Sequence, residues 1–488
     1  MTNTRREFLW KSGRGLIASA AVIKGLDSLF LTNALAQAAA DDYKALVCVF
    51  LFGGNDSNNI VIPITNPNRQ AYDDARGDNV MLALTLADLA NTHITPPSDP
   101  ANEYALHPQL NTGAYGGLYQ LWNTGNAGIV VNTGTIIDPS TSKDQLRQGI
   151  NRPYQLFSHS DQQSAWQTSS STGPYPTGWG GRIADRVRGL QTFPVVSSIA
   201  GVQVFTQGAL TRPLIVSPAP TRLDQLLTIN RTSDTDGLSQ IVAFDRGDGN
   251  AQLVKASANL VADTLNFRAQ LIAAGDDQPV TPFPPTSLGN QLKQVAKLIK
   301  AGQGGLAGIT RQIFFVSIGG FDTHNNQGRV GGTQGNLWQQ VSEAIAALYQ
   351  ETVALNVANN VTTFTCSDFS RTLKPANPGA QVGTDHAWGS HQFVVGGAVK
   401  GGDFYGTYPS LELGGNSDYD VGSGARGRWI PTQSVDQFGY TLANWYGVLP
   451  EDLPYVFPNI GRFSPPDLGF MTAPTGAASR SRARKSKK

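Results

Sequence analysis

The stretch Phe314-Phe315-Val316-Ser317-Ile318-Gly319-Gly320-Phe321-Asp322-Thr323-His324 decides the fold. An apolar, β-rich run stops at two glycines, and a carboxylate and an imidazole follow two residues apart. A continuous run of this kind fits a strand buried on both faces of a parallel sheet. In such sheets ligands sit beyond the carboxyl ends of the strands, where Asp322 and His324 fall. Carboxylate plus imidazole is a donor set suited to Zn, Mn or Fe.

The same pattern recurs on either side. Lys44 to Phe52 (KALVCVFLF) runs into Gly53-Gly54 and then Asp56. Val361 to Thr365 leads to Asp368, and Gly128 to Thr133 and Phe393 to Val399 read as further short strands. Between them lie helical patterns. Leu288, Leu292, Val295 and Ile299 share one stripe of 287–300, and Val341, Ile345, Leu348 and Leu355 share one of 337–357. A last helix spans 435–446, and a weak, glycine-interrupted one lies near 115–122. Strand, helix, strand in alternation predicts an α/β fold: a mostly parallel central sheet covered on both faces. Residues 190–278 read as a strand pair followed by a helix near 251–274, an insertion or cap on a main domain of 43–465.

The chain ends carry other signals. Thr4-Arg5-Arg6-Glu7-Phe8-Leu9, a weakly apolar stretch from Gly15 to Ile23, and Ala34-Leu35-Ala36 stand in the order of a twin-arginine export signal. Residues 1–36 are expected to be removed, with the mature chain in the periplasm or beyond. No other apolar run is long enough to span a bilayer. Residues 466–488 form a tail whose end is strongly basic, from Arg480 to Lys488, and is expected to be disordered. Net charge is +1 with that tail included, so the folded body is mildly acidic. That gives no support for nucleic-acid binding. Cys48 and Cys366 are the two cysteines; a disulfide and two buried thiols are both compatible with the sequence.

Four further clusters carry chemistry. Asp385-His386 lies in a loop freed by Gly383 and Gly389, and both residues are candidate metal ligands. Asp368 is a candidate ligand at a strand end; Arg371 either holds an anionic substrate group bidentately or pairs with Asp368. Asp56 is a candidate ligand or the first residue of an Asx turn. Ser158-His159-Ser160-Asp161 opens a polar helix, so Ser158 is either a nucleophile at the positive end of the helix dipole, with His159 as a catalytic partner, or an ordinary N-cap. There is no Gly-x-Ser-x-Gly elbow and no P-loop.

Taken together, Gly53-Gly54-Asn55-Asp56, Ser158-His159, Gly178-Trp179-Gly180-Gly181-Arg182, Gly319 to His324, Ser367-Asp368-Phe369-Ser370-Arg371-Thr372, Gly383 to His386, Gly396 to Gly402 and Ile430 to Gln437 resemble the exported bacterial proteins of domain of unknown function 1501. That family is similar to the alkaline phosphatase and sulfatase superfamily. The resemblance implies a three-layer α/β/α sandwich and a phosphate or sulfate ester as substrate, on a small molecule or a glycan. It implies one or two divalent ions (Zn, Mn, Ca or Mg), Asp56, Asp322, His324, Asp368 and His386 as ligands, and Ser158 at the nucleophile position. The chain departs from the superfamily where Asp368 is followed by Phe369 rather than His. It also departs in the two-residue spacing of Asp322 and His324, and in lacking the Cys/Ser-x-Pro-x-Arg nucleophile motif. The expected function is an exported metal-dependent ester hydrolase; the alternative is a non-catalytic exported binding or cell-surface protein that keeps the fold.

Overall fold

A computed structural model describes residues 43–473, except 78–80, 188–190, 192, 227–231, 248–250, 305, 307 and 377–380. The export signal read in residues 1–36 and the basic residues 480–488 lie outside the described residues.

The centre is a nine-stranded sheet. Its strands are β1 Lys44–Leu51, β2 Ala127–Gly134, β3 Val196–Ser198, β4 Leu214–Ile215, β5 Arg311–Ile318, β6 Val361–Ser367, β7 Ser390–Val395, β8 Phe404–Tyr405 and β9 Gln433–Ser434. They lie in the order β8-β2-β7-β6-β1-β5-β3-β4, with β9 also paired to β2. Strand β7 runs antiparallel to both neighbours, and every other pairing in this sheet is parallel.

The apolar run of β1 explains the layering. Side chains alternate across a strand. Ala45, Val47, Val49 and Leu51 face one core with residues of α2 Gly117–Asn123, α7 Ser287–Gly304 and α8 Thr333–Ala354. Leu46, Cys48 and Phe50 face a second core with residues of α4 Trp179–Val187 and α9 Val435–Tyr446. The molecule is therefore a three-layer α/β/α sandwich. Burial on both faces is why β1 has no polar alternation. Cys48 and Cys366 are free, buried thiols on neighbouring strands. They sit two residues out of register, since Cys48 lies opposite Phe364 and Cys366 opposite Phe50.

Two sequence expectations are corrected. The strand pair within 190–278 is part of the central sheet, because β3 pairs with β5 and β4 continues the edge. These strands are only three and two residues long, too short for their pattern to show which sheet they join. The helices α5 Thr232–Asp245 and α6 Gln252–Ala274 follow β4, and α6 docks on the first core through Leu271 and Phe267. The tail also begins later than residue 466. Phe470 is fully buried, and Met471 bridges to Val399. One large apolar side chain is enough to dock a segment that composition reads as solvated. No helix among the described residues is long and apolar enough to cross a membrane.

Register positions the site. Leu51 lies opposite both Ile318 and Ser367, so β1, β5 and β6 end at one level. Asp56, Asp322 and Asp368 leave the sheet from that edge. Because β7 is reversed, its first residue, Ser390, lies beside Thr133 near the end of β2. The loop carrying Asp385 and His386 therefore enters the sheet where the other strands leave it.

Candidate metal centre

Close packing of loops builds the centre. Gly53 has φ +116°, and a Cβ there would lie 2.4 Å from the backbone nitrogen of Asp322. Only glycine lets the end of β1 touch the loop after β5. Three imidazoles converge on the Asp322 carboxylate. His324 Nε2 lies 3.1 Å and His386 Nε2 3.4 Å from Asp322 Oδ1, and His159 Nε2 lies 3.4 Å from Asp322 Oδ2. One donor atom each from His159, Asp322 and His386 fall within 4.8 Å of one another. His324 joins from the side, its Nε2 2.9 Å from that of His386. His159 is the first residue of α3 His159–Thr168.

Each ring is held at its other nitrogen. His159 Nδ1 meets Asp368 Oδ2 at 2.7 Å, His324 Nδ1 meets Asp385 Oδ1 at 3.2 Å, and His386 Nδ1 donates to the Phe157 carbonyl at 2.8 Å. A carboxylate or carbonyl can only accept here, so each Nδ1 carries the hydrogen. A neutral ring then presents the Nε2 lone pair. With all three rings neutral, three lone pairs and a carboxylate point into one small space, an arrangement relieved by a bound cation or by a proton on one ring. Consistent with this, the buried His159 Nε2 has no hydrogen-bond partner among the described residues. Rings oriented by hydrogen bonds at the far nitrogen are the usual support of metal-ligating histidines. The residues present fit a metal ion.

The electrostatics differ from ring to ring. Burial, followed by the charge of Arg371, lowers the His386 pKa and keeps the ring neutral, although the Phe157 carbonyl opposes this. The Asp368 hydrogen bond raises the His159 pKa against its desolvation. Burial opposes ionisation of Asp322, but the Arg371 hydrogen bond and charge outweigh it and hold the carboxyl below its ordinary value.

The remaining sequence-read residues fall into distinct places. Asp368 is fully buried and accepts from His159, from Gln163 Nε2 at 2.8 Å and from the Gly53 N–H at 3.3 Å. Asp385 sits between His324 and Arg426, whose Nη1 is 2.7 Å away. Arg371 Nη1 donates to Asp322 Oδ1 at 2.7 Å, and its other nitrogens bond to Thr384. It therefore positions Asp322 rather than pairing with Asp368. Asp56 is fully buried and ion-paired at 2.8 Å to Arg76, the last residue of α1 Asn68–Arg76, and accepts from Gln327 Nε2 at 2.5 Å. No hydrogen bond among the described residues joins it to the histidines. Ser158 Oγ donates to Asp161 Oδ2 at 2.6 Å and makes no hydrogen bond to Asp56, Asp322 or Asp368. Phe369 packs against the rings of His159 and His386, with centroids 4.9 and 4.6 Å apart.

Sequence reasoning placed His159 beside a nucleophile rather than in the metal cluster, and it missed Arg76, Gln163, Gln327 and the Phe157 carbonyl. Gln163 was findable, since it lies four residues after His159 and shares its helical face. Arg76 carried no signal. A cleft of about 590 Å³ is formed by the loop that leads into α3, lined by Arg152, Tyr154, Gln155, Leu156, Phe157, whose carbonyl holds His386, and Ser158, which precedes His159, among others.

Fold and site together define an α/β protein with a histidine–carboxylate centre at the carboxyl edge of a parallel sheet. The chain belongs to the family described as protein of unknown function (DUF1501), whose model matches residues 43–420. It is similar in structure to the PsFucS1 sulfatase from Pseudoalteromonas sp., at 10% identity over 80% of this chain and 69% of that one, with a TM-score of 0.27. It is also similar to a mutant of the alkaline phosphatase PafA, at 10% identity over 68% of this chain and 64% of that one, with a TM-score of 0.29. No curated protein matches the sequence.

Proposed function

We propose that the protein is an exported metal-dependent hydrolase of phosphate or sulfate esters. The observation that carries this reading is the convergence of His159, His324, His386 and Asp322, with every Nδ1 anchored and the buried His159 Nε2 without a hydrogen bond among the described residues. Three imidazoles and one carboxylate favour Zn or Mn over Mg or Ca, which prefer all-oxygen sites. One ion fits. Asp56, which the family resemblance assigns to a metal, is already neutralised by Arg76.

Such an ion would polarise an ester oxygen and stabilise charge on the transferring group. Charge at the centre favours an anionic ester. Asp322, Asp368 and Asp385 carry three negative charges and Arg371 and Arg426 two positive ones, so a divalent ion leaves the centre with one net positive charge. Arg371 fixes the Asp322 carboxylate, and Asp368 and Asp385 fix two of the rings. Ser158 lines the cleft. Its hydroxyl donates to Asp161 Oδ2, a carboxylate that would accept the proton if Ser158 attacks. Export rests on the arginine pair, apolar stretch and cleavage pattern of residues 1–36.

The test is elemental analysis of residues 37–488 beside Asp322→Ala and His386→Ala variants, followed by phenyl phosphate and phenyl sulfate turnover with the ion found. One equivalent of metal, lost in both variants, and turnover of either ester is expected. Absence of metal after supply of Zn and Mn refutes the reading. Full turnover by a metal-loaded Ser158→Ala variant removes Ser158 from the reaction and leaves water as the nucleophile.

A further inference from the structure

The guanidinium groups around the centre divide unequally. Arg76 is paired with Asp56, Arg371 with Asp322, Arg426 with Asp385 and Arg428 with Asp420. Arg152 has no ion pair with any described residue. It is exposed and lines the 590 Å³ cleft, whose lining residues include no carboxylate.

Arg152 is held at a definite place relative to the centre. Its Nη1 donates to the Tyr419 hydroxyl at 3.4 Å. The Tyr419 ring packs edge-on against Phe157 and Trp388, each with centroids 6.0 Å apart. Phe157 in turn holds His386 through its carbonyl. A continuous set of contacts therefore runs from the metal centre to Arg152. The loop between them bends back on itself through left-handed residues at Gly149, Asn151 and Gln155. A guanidinium offers a planar fork matched to carboxylate, sulfate or phosphate, and among the described residues Arg152 donates one hydrogen bond, to Tyr419. Exposed Tyr154 adds an aromatic face in the same cleft.

We infer that the cleft is the leaving-group subsite and that Arg152 binds a second anionic group there. The substrate class is then an ester whose alcohol portion itself carries a carboxylate, sulfate or phosphate. This inference rests on the metallohydrolase reading but is tested separately from it. Non-hydrolysable probes serve: phenylphosphonate, with one anionic group, against 4-phosphonobenzoate and 4-phosphonophenylacetate, with two at different separations. Titration calorimetry is run on metal-loaded wild type, Arg152→Gln and Arg152→Lys, with metal content measured on each sample.

Wild type is expected to bind at least one carboxylated probe about tenfold to a hundredfold more tightly than phenylphosphonate, the value of one charge-assisted pair. Arg152→Gln should erase the preference and Arg152→Lys retain part of it, with metal content equal in all three. The inference is overturned if wild type shows no preference, if the preference survives in Arg152→Gln, or if Arg152→Gln weakens all three probes equally. The last result would place Arg152 on the transferred group instead. Loss of metal from wild type itself would count against the metallohydrolase reading, a separate observable.

Discussion

Replacing Asp368 with Asn tests the construction of the centre at its most buried point. The carboxylate meets only donors: His159 Nδ1 at 2.7 Å, Gln163 Nε2 at 2.8 Å and the Gly53 N–H at 3.3 Å. An amide keeps one acceptor and turns the other oxygen into a donor. With its oxygen in the place of Oδ2 the amide keeps His159 and Gln163 but turns an N–H toward the Gly53 N–H; the other way round it opposes the His159 and Gln163 N–H groups. That mismatch costs about 1–3 kcal/mol of stability. The metal suffers separately, because the carboxylate that orients His159 and raises its basicity is gone. Loss of such a support lowers metal affinity by about 10- to 100-fold, roughly 1.4–2.8 kcal/mol.

A pH signature goes with it. The His159 pKa is raised by the Asp368 hydrogen bond against desolvation. In metal-free protein the stability this pair contributes is fully present below the unfolded histidine value of about 6.5 and is lost as pH rises through the folded value. Asp368→Asn should flatten that segment. The assays are Zn and Mn titration at pH 7.5 and urea unfolding of metal-free protein from pH 5.5 to 8.5, beside His159→Ala. Wild-type metal affinity in a folded Asp368→Asn variant would refute the role given to His159 and its carboxylate.

Other consequences follow from the same packing. Arg76→Met leaves the Asp56 carboxylate buried and unpaired and should cost about 3–5 kcal/mol in urea unfolding, with most recovered in Arg76→Met/Asp56→Asn; a loss below about 1 kcal/mol contradicts the buried pair. Gly54→Ala places a Cβ 2.4 Å from the Phe369 ring at φ +76°, so it should destabilise by about 1–3 kcal/mol and weaken metal binding, since Phe369 packs on two of the ligand rings; unchanged affinity would show that those rings do not need it. Burial pushes the Asp436 carboxyl up to about 6, so the folded state holds its proton more tightly than the unfolded one. Stability is then lost as pH rises from about 4 to 6, by about 3 kcal/mol, and Asp436→Asn should remove that slope in a pH series of unfolding curves. Both thiols should react with Ellman's reagent only after denaturation, two per chain; one or none in the unreduced, unfolded protein would reveal a disulfide.

The sequence by itself was enough for the layers and for the edge that carries the chemistry. Continuous apolar runs at 44–52, 312–318 and 361–365, separated by helical stripes, identify strands buried on both faces. A carboxylate just past such a run must emerge at the strand's carboxyl end. Asp322 and His324 were legible for that reason, as was the loop of Asp385 and His386. What the tertiary structure decided was which carboxylates share a space with the imidazoles. Asp56 and Asp322 carry the same local signature, yet one is neutralised by Arg76 and the other faces three histidines. That difference depends on which side chain arrives from a distant helix, and a one-dimensional pattern holds no such information. Likewise, only the reversed direction of β7 brings His386 to the edge where β1, β5 and β6 end. Strand direction is set by pairing with neighbours, not by the residues of the strand alone. His159 became visible as a candidate ligand only once α3 was seen to begin against Asp368.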